Sequence, residues 1–162
     1  MDTVLAAMGF CGGSWENLAA RQRIVIPCVD DCITLLLHTD DRKASNLKQT
    51  GHFYFREPDV GEISLESMEQ RLCQSRGKAQ GRALFQQWFD PFTHIDIIDA
   101  GTYDSYAPAH LRQVQRDADL TQCAVRHVPG SSRILEKLVS GQWDEQFLIV
   151  EPGNSLAWKD FL

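Results

Sequence analysis

Apolar and polar residues follow two spacings along this chain, one typical of strands and one typical of helices. Short apolar stretches predict six strands, two of them in the first forty residues. A near-continuous apolar run favours a central strand, which we expect to form a hairpin with the strand before it. The predicted strands cover residues 23–28, 32–38, 51–55, 92–99, 120–128 and 146–150.

Apolar residues at helical spacing predict helices around these strands. The clearest helix begins after Ser64, a suitable N-cap, and continues to about residue 89. Gly77 and Gly81 lie on one face of it, which indicates either a close approach by a neighbour or a break into two helices. Further helices are predicted over residues 2–10, 14–22, 108–118 and 133–139, with a helical turn at the C-terminus.

The order of these elements indicates an α+β protein. We expect a mixed β-sheet of about six strands that helices cover on at least one face. An α/β three-layer arrangement stays open as the alternative, because strands and helices alternate in the second half. The chain has 162 residues and no linker-like or repetitive stretch, so we predict a single globular domain over residues 1–162.

The composition excludes some classes of function. Asp and Glu total 22 against 16 Lys and Arg, which gives a formal charge of −6. An acidic domain lacks the positive surface that nucleic-acid binding requires, so we expect no nucleic acid as a partner. The sequence has no apolar stretch long enough to span a bilayer and no signal peptide. We therefore expect no membrane association and a cytoplasmic location.

The five cysteines indicate neither a disulfide framework nor a zinc site. Their number is odd, and the nearest pair, Cys28 and Cys32, has three residues between its members. We therefore expect mostly small core residues in a reducing compartment. We expect no cofactor and no metal.

The predicted strand over residues 92–99 carries the first candidate site. His94 and Asp96 lie on one face of this strand, and Asp99 comes at its carboxyl end. Open α/β sheets place ligands at that end of their strands. An imidazole and carboxylates could act there as acid–base groups or hold a divalent cation. We name these three residues as candidate catalytic residues, although carboxylates at a strand end can also cap a turn.

The second candidate site lies between a predicted strand and the helix after it. Ser131, Ser132 and Arg133 come at the start of that helix. Free amide groups, two hydroxyls and a guanidinium suit an anion such as a phosphate or a carboxylate. The glycine spacing of a P-loop is missing, and an ordinary turn with a helix cap would use the same residues. We name them as candidate anion-binding residues.

Aromatic residues indicate a third kind of site. Phe53 and Phe55 lie in a run of three aromatic residues, and Trp143 lies outside any clear helical stripe. Exposed aromatic side chains on an acidic protein mark a protein-binding patch, whereas a sheet covered on both faces would bury them. We name these three as candidate partner-binding residues.

From these features we expect a small acidic cytoplasmic domain that binds another protein, of adaptor, immunity or chaperone type, without catalysis. Its negative charge favours a basic partner, and a homodimer stays open. The alternative is a small enzyme or ligand-binding domain, with an anion site in the 129–133 loop and acid–base or metal residues on the 92–99 strand. The sequence leaves open whether the protein is an enzyme.

Overall fold

The computed structural model describes residues 2–57 and 64–161. These residues form five α-helices and six strands, a mixed α+β fold as predicted, but the strands divide between two sheets of three. The chain forms two compact units. Unit 1 comprises Met1–Lys48 and Pro129–Leu162, and unit 2 comprises Gln49–Val128. That the whole chain is a single domain stays a prediction.

Unit 1 contains a sheet with the strand order β1-β2-β6. β1 pairs with β2 in parallel, whereas β2 and β6 are antiparallel, with Ile24 opposite Val150. Short 3-10 helices lie at Cys11–Gly13 and Trp158–Phe161. The regular elements of this unit are β1 (Thr3–Leu5), β2 (Arg23–Pro27), α1 (Cys32–Leu37), α5 (Arg133–Ser140) and β6 (Phe147–Val150).

Apolar residues cover both faces of β2. Val25 packs on one side with Leu35 of α1 and Ile134 of α5. Ile26 packs on the other side with Phe161 near the C-terminus. Burial on both faces explains why β2 is continuously apolar and shows no polar alternation.

The main error of the sequence prediction is the strand assigned to residues 32–38. Cys32–Leu37 form helix α1 and not a central strand, so the predicted hairpin with β2 is also wrong. The carboxylate of Asp31 accepts hydrogen bonds from the amides of Ile33 and Thr34, at 2.9 and 3.0 Å. An N-cap of this kind stabilises a helix start by about 1 kcal/mol, which favours the helix over an extended run.

The two predicted N-terminal helices are also wrong. Thr3–Leu5 form strand β1, because their backbone pairs with β2. In the second segment Glu16 and Ala19 make isolated β-bridges to Leu156 and Ser155. Long-range backbone pairing has therefore overridden weak local helical patterns in both segments.

Unit 2 contains a sheet with the strand order β3-β4-β5. β3 and β4 are parallel, with His52 opposite His94 and Tyr54 opposite Asp96. The helices α2, α3 and α4 lie between the strands along the chain. The elements are β3 (His52–Phe55), α2 (Leu65–Arg76), α3 (Lys78–Phe89), β4 (His94–Asp99), α4 (Pro108–Thr121) and β5 (Ala124–Pro129).

One face of this second sheet carries the apolar core of unit 2. Phe53 and Ile95 point to that face and pack with residues of the helices, including Phe89 of α3 and Val114 of α4. Because side chains alternate along a strand, the polar residues of β3 and β4 point to the opposite face. The prediction that helices cover at least one face of a sheet is thus confirmed for unit 2.

Glycines explain how α2 and α3 are separated and packed. Gly77 has φ 82° and ψ 151°, a conformation that is essentially restricted to glycine, and it ends α2. Gly81 is buried, and a Cβ atom there would lie 2.5 Å from the carbonyl carbon of Leu72 and from Cα of Cys73. Both readings of the two glycines, a helix break and a close approach, are therefore confirmed.

Replacing Gly81 by alanine should destabilise the protein, although alanine normally favours a helix by about 1 kcal/mol. The added methyl group would overlap the backbone of α2, and overpacking of this kind costs about 1–3 kcal/mol. Urea unfolding of the full chain measures the change. Ala83→Gly, at an exposed position of α3, is the matched control and should cost about 1 kcal/mol. A gain in stability from Gly81→Ala would contradict the close packing of the two helices.

Candidate functional site

Three neighbouring strands of unit 2 contribute a polar cluster on the face opposite the apolar core. We call it the histidine–aspartate cluster, and its members are His52 of β3, His94 and Asp96 of β4, and Arg126 of β5. The residues of β3 read H-F-Y-F and those of β4 begin H-I-D-I, so polar side chains share one face in each strand. Since β3 and β4 are parallel and in register, the two histidines are adjacent.

Asp96 is the centre of this cluster. Its side chain has no solvent exposure and accepts hydrogen bonds from Nε of Arg126 at 2.6 Å and from Nδ1 of His52 at 2.9 Å. Burial by itself would raise the pKa of a carboxyl group. The hydrogen bonds and positive charge of its two partners outweigh burial and hold the pKa of Asp96 below its usual value. Asp96 is therefore a buried carboxylate anion.

Arg126 binds the carboxylate and is itself partly exposed. Its Nε and Nη2 both contact Asp96, and Nη2 also donates to Oε1 of Gln49 at 2.9 Å. The hydrogen bond to Asp96 raises the pKa of Arg126, so the guanidinium stays charged. The side chain is 41% exposed, and its Nη1 makes no hydrogen bond to the described residues. Nη1 is therefore available to a ligand.

Hydrogen bonding determines the tautomer of His52. A carboxylate can only accept, so His52 must carry a proton on Nδ1 to bond with Asp96. Nη2 of Arg126 also lies 3.0 Å from this nitrogen, but that group already donates to Asp96 and Gln49. A neutral His52 therefore has an unprotonated Nε2.

His94 lies beside His52 and has a similar arrangement at its ring nitrogens. Its ring stacks on that of His52, with 4.5 Å between the centroids and 4° between the planes. The hydroxyl of Thr93 donates to the carbonyl of Gly51 at 3.3 Å and accepts from Nδ1 of His94 at 2.9 Å. Neither histidine has a hydrogen bond at Nε2 within residues 2–57 and 64–161. The cluster thus holds two stacked rings whose Nε2 atoms have no hydrogen-bond partner among the described residues.

This arrangement has the parts of a general acid–base site. A carboxylate that bonds to Nδ1 of a histidine orients the ring and stabilises its protonated form, while Nε2 exchanges a proton with a ligand. Imidazoles supported in this way also bind transition metals. The part of the chain that the structure describes contains no group of three suitable side chains placed to hold a metal ion. The hydrogen bond at Nδ1 of His52 is itself suited to proton transfer at Nε2.

The structure brings together two of the three residues named as catalytic. His94 and Asp96 belong to the cluster, whereas Asp99 lies three residues further along β4, about 10 Å away, and points to the other face. A catalytic role for all three stays a prediction. Sequence reasoning missed His52 and Arg126. The shared polar–apolar alternation of β3 and β4 was the available signal for His52.

The three residues named for anion binding lie in unit 1 at the start of α5. The guanidinium of Arg133 binds Asp41 with contacts of 2.9 and 2.6 Å. The hydroxyl of Ser132 donates to Glu136, and the hydroxyl of Ser131 accepts from the amide of Arg133. Anion binding by these residues stays a prediction, and an anion there would compete with Asp41 for Arg133.

Lys137 strengthens the same network in unit 1. Its Nζ donates to Asp41 at 3.0 Å, to Asp144 and to Oε1 of Gln146 at 2.7 Å, and its side chain is almost fully buried. Hydrogen bonds from Arg133 and then from Lys137 lower the pKa of Asp41 to about 2. The network is therefore charged and internally paired at neutral pH, which is typical of a structural role.

The residues named for partner binding pack into the two units. Phe53 and Phe55 are half-buried in the apolar core of unit 2, and the ring of Phe53 contacts that of Phe92 edge-on at 5.6 Å. Trp143 is half-buried in unit 1, where its indole N–H donates to the carbonyl of Leu138 at 2.8 Å. Their role in binding a partner stays a prediction.

The fold and the cluster define an α+β protein in which a buried aspartate orients a histidine. The chain belongs to the family described as "Protein of unknown function (DUF1638)", whose model matches residues 1–139 and so spans the whole cluster. No curated protein and no solved structure matches the chain. Among the described helices, none has the length and apolar character needed to cross a membrane.

Asp96→Asn should destabilise the full chain by about 2–3 kcal/mol at pH 7. The reason is that a buried amide loses the charge-assisted bonds to Arg126 and brings in donors without acceptors. Urea unfolding measures the change. Asp99→Asn, on the same strand, removes no hydrogen bond of that side chain to the described residues and should change stability by less than about 0.5 kcal/mol. Equal effects of the two substitutions would contradict the central position of Asp96.

The same carboxyl group should make stability depend on acid pH. The pKa of Asp96 is lower in the folded protein than its unfolded value of about 4, so its charge stabilises the fold above that value. This stabilisation is lost as the pH falls through the folded-state pKa. The wild type should therefore lose more stability than Asp96→Asn on acidification below about pH 4. Parallel pH profiles of the two proteins would show that Asp96 is not the responsible group.

Proposed function

We propose that this protein is a small enzyme or ligand-binding domain in which His52 exchanges a proton with a bound small molecule. The hydrogen bond from Nδ1 of His52 to the buried carboxylate of Asp96 carries this proposal. It orients the ring and leaves Nε2 as the basic nitrogen. The side chain of His52 is 10% exposed, so the ring is shielded from most solvent.

The proton would move between Nε2 of His52 and an O–H or N–H group of the ligand. The protonated ring then carries a positive charge, which the carboxylate of Asp96 stabilises across the hydrogen bond at Nδ1. Because Arg126 shares that carboxylate, the stabilisation is weaker than that from an unpaired aspartate. The ring is thus suited to take up the proton and to return it in the same site. General acid–base catalysis of this kind contributes about 10²–10⁴-fold to a rate.

The remaining groups of the cluster indicate the class of ligand. Nη1 of Arg126 can donate to an oxygen, and Nε2 of His94 can accept a further hydrogen bond. The charges of Asp96 and Arg126 cancel, so the site does not select for a charged molecule. A small polar metabolite with a hydroxyl or amine next to a carbonyl or carboxylate oxygen meets these requirements.

Protein binding is the second candidate function, and the edge of the sheet in unit 1 favours it. β1 is an edge strand with all three residues exposed, including Val4 at 41% and Leu5 at 40%. Leu18 adds another exposed apolar side chain. An exposed apolar edge strand can pair with an extended segment of a partner. This candidate does not depend on Phe53, Phe55 or Trp143.

The absence of disulfide bonds supports a cytoplasmic location for the proposed activity. All five are thiols in the structure, two of them buried. A reducing compartment keeps such thiols free, whereas an oxidising one promotes their pairing. We include the cytoplasm in the proposal on this ground.

Nitrogen NMR of the full chain should show that the neutral form of His52 carries its proton on Nδ1 and has an unprotonated Nε2. A panel of hydroxy acids, amino acids, sugars and nucleosides, screened by the same spectra, should contain a compound that shifts the Nε2 signal of His52. His52→Gln should weaken its binding, and any turnover should fall by about 10²–10⁴-fold. A proton on Nε2 of His52 would contradict the proposed role.

A matched histidine outside the cluster controls this experiment. His127→Gln on β5 should leave binding unchanged, because its Nε2 is bonded to the carbonyl of Ser105 at 3.1 Å. Equal losses from His52→Gln and His127→Gln would point to a general disturbance of unit 2 and count against the cluster. A panel in which no compound shifts either ring of the cluster would also contradict the proposal and favour the protein-binding candidate.

A further inference from the structure

Helix α4 begins without a side-chain cap. Its N-cap is Ala107, which offers no acceptor, and Pro108 at its first position has no amide hydrogen. The amides of Ala109 and His110, the next two residues, have no hydrogen-bond acceptor in the described part of the chain. Such a helix end attracts anions.

Two buried polar side chains without partners lie at this helix end. Ser105 is 1% exposed and His110 is 4% exposed. The hydroxyl of Ser105 and both ring nitrogens of His110 lack any hydrogen-bond partner within the described ranges. Native structures bury very few such groups, and each one calls for an explanation.

Both residues lie at the start of the helix along the chain. Side chains of a helix tilt toward its N-terminus, so the ring of His110, the third residue of α4, lies over the first turn. Ser105 lies two residues before the N-cap, and its carbonyl is held by Nε2 of His127 at 3.1 Å. The ring of Tyr103 packs edge-on against His110, with 5.5 Å between the centroids. Hydroxyl, imidazole and free amides therefore lie at one end of α4.

This helix end is separate from the histidine–aspartate cluster. α4 follows the carboxyl end of β4, where parallel strands of α/β proteins place their ligands. The two histidines of the cluster are the first residues of β3 and β4, at the opposite end of these strands. Pro108 and Ala109 are exposed, so solvent reaches the start of α4.

We propose that the start of α4 binds the phosphate group of a small molecule through Ser105, His110 and the amides of Ala109 and His110. The three terminal oxygens of a phosphate can accept from these donors, which approach from the backbone and from two side chains. The helix dipole adds a favourable interaction with the negative charge. The inference goes beyond the proposed function, since it uses no residue of the histidine–aspartate cluster.

The protonation of His110 agrees with this role. Burial lowers the pKa of His110, and the nearby His127 lowers it further, so the ring is neutral at pH 7. A neutral imidazole has one donor and one acceptor nitrogen. The donor nitrogen can bind a phosphate oxygen.

A titration of the ¹⁵N-labelled full chain with sodium phosphate at constant ionic strength tests the proposal. The amide signals of Ala109 and His110 should shift and reach saturation below about 50 mM phosphate. Ser105→Ala should weaken binding at least ~3-fold and His110→Phe at least ~10-fold, as expected for hydrogen bonds to a charged group. Ser132→Ala is a matched loss of a hydroxyl at the start of α5. It should leave the affinity for phosphate unchanged.

Shifts that stay linear up to about 50 mM phosphate would overturn the proposal. Saturable shifts that are unchanged in both Ser105→Ala and His110→Phe would also overturn it. If a variant does not fold, the titration of the wild type is by itself the test of phosphate binding.

A parallel titration with glycerol phosphate shows whether the bound phosphate group belongs to a small molecule or is free phosphate. Tighter binding of the ester supports a phosphorylated small molecule, whereas tighter binding of free phosphate would overturn that assignment. No readout involves His52, so this test and that of the proposed function can fail independently.

Discussion

The charge of Asp96 is the constraint on which unit 2 depends. A carboxylate that is buried away from solvent must receive hydrogen bonds and a counter-charge from the protein, because an unpaired buried charge is strongly destabilising. Arg126 and His52 meet this requirement from the two neighbouring strands. One interaction thus joins all three strands of the sheet and, at the same time, orients the imidazole of the candidate site. Stability and the proposed chemistry depend on the same carboxylate.

The two polar clusters of unit 2 differ in how their buried atoms are paired. In the histidine–aspartate cluster both oxygens of Asp96 accept hydrogen bonds from side chains. At the start of α4 the hydroxyl of Ser105 and the ring of His110 have no such partners in the described residues. A fully paired carboxylate is suited to holding a catalytic ring in place. Donors without protein partners are suited to binding a ligand, so we assign the two clusters different roles.

Two networks of charged side chains in unit 1 are paired internally. Lys48 binds Asp30 and Asp31 at 2.6 and 2.5 Å, beside the cap of α1, and Lys137 binds the network around Asp41. Such networks hold loops in place and present no unpaired charge to a ligand. The feature of unit 1 on which the protein-binding candidate rests is instead the exposed apolar edge strand β1.

Local patterns in the sequence determined the elements wherever backbone preferences and apolar period agreed. Pro108 at the start of α4, the helix break at Gly77 and the alternation of β4 were predictable for that reason. Residues 32–38 misled the prediction because a short apolar run suits a buried helix as well as a strand.

The reach of local patterns also explains which residues of the candidate site could be predicted. His94 and Asp96 share one strand, so the period of two placed them together, whereas His52 lies 44 residues from Asp96 and Arg126 lies 30 residues from it. Only the strand order of the folded sheet decided that these residues meet, because pairing between distant strands depends on packing that no local pattern records.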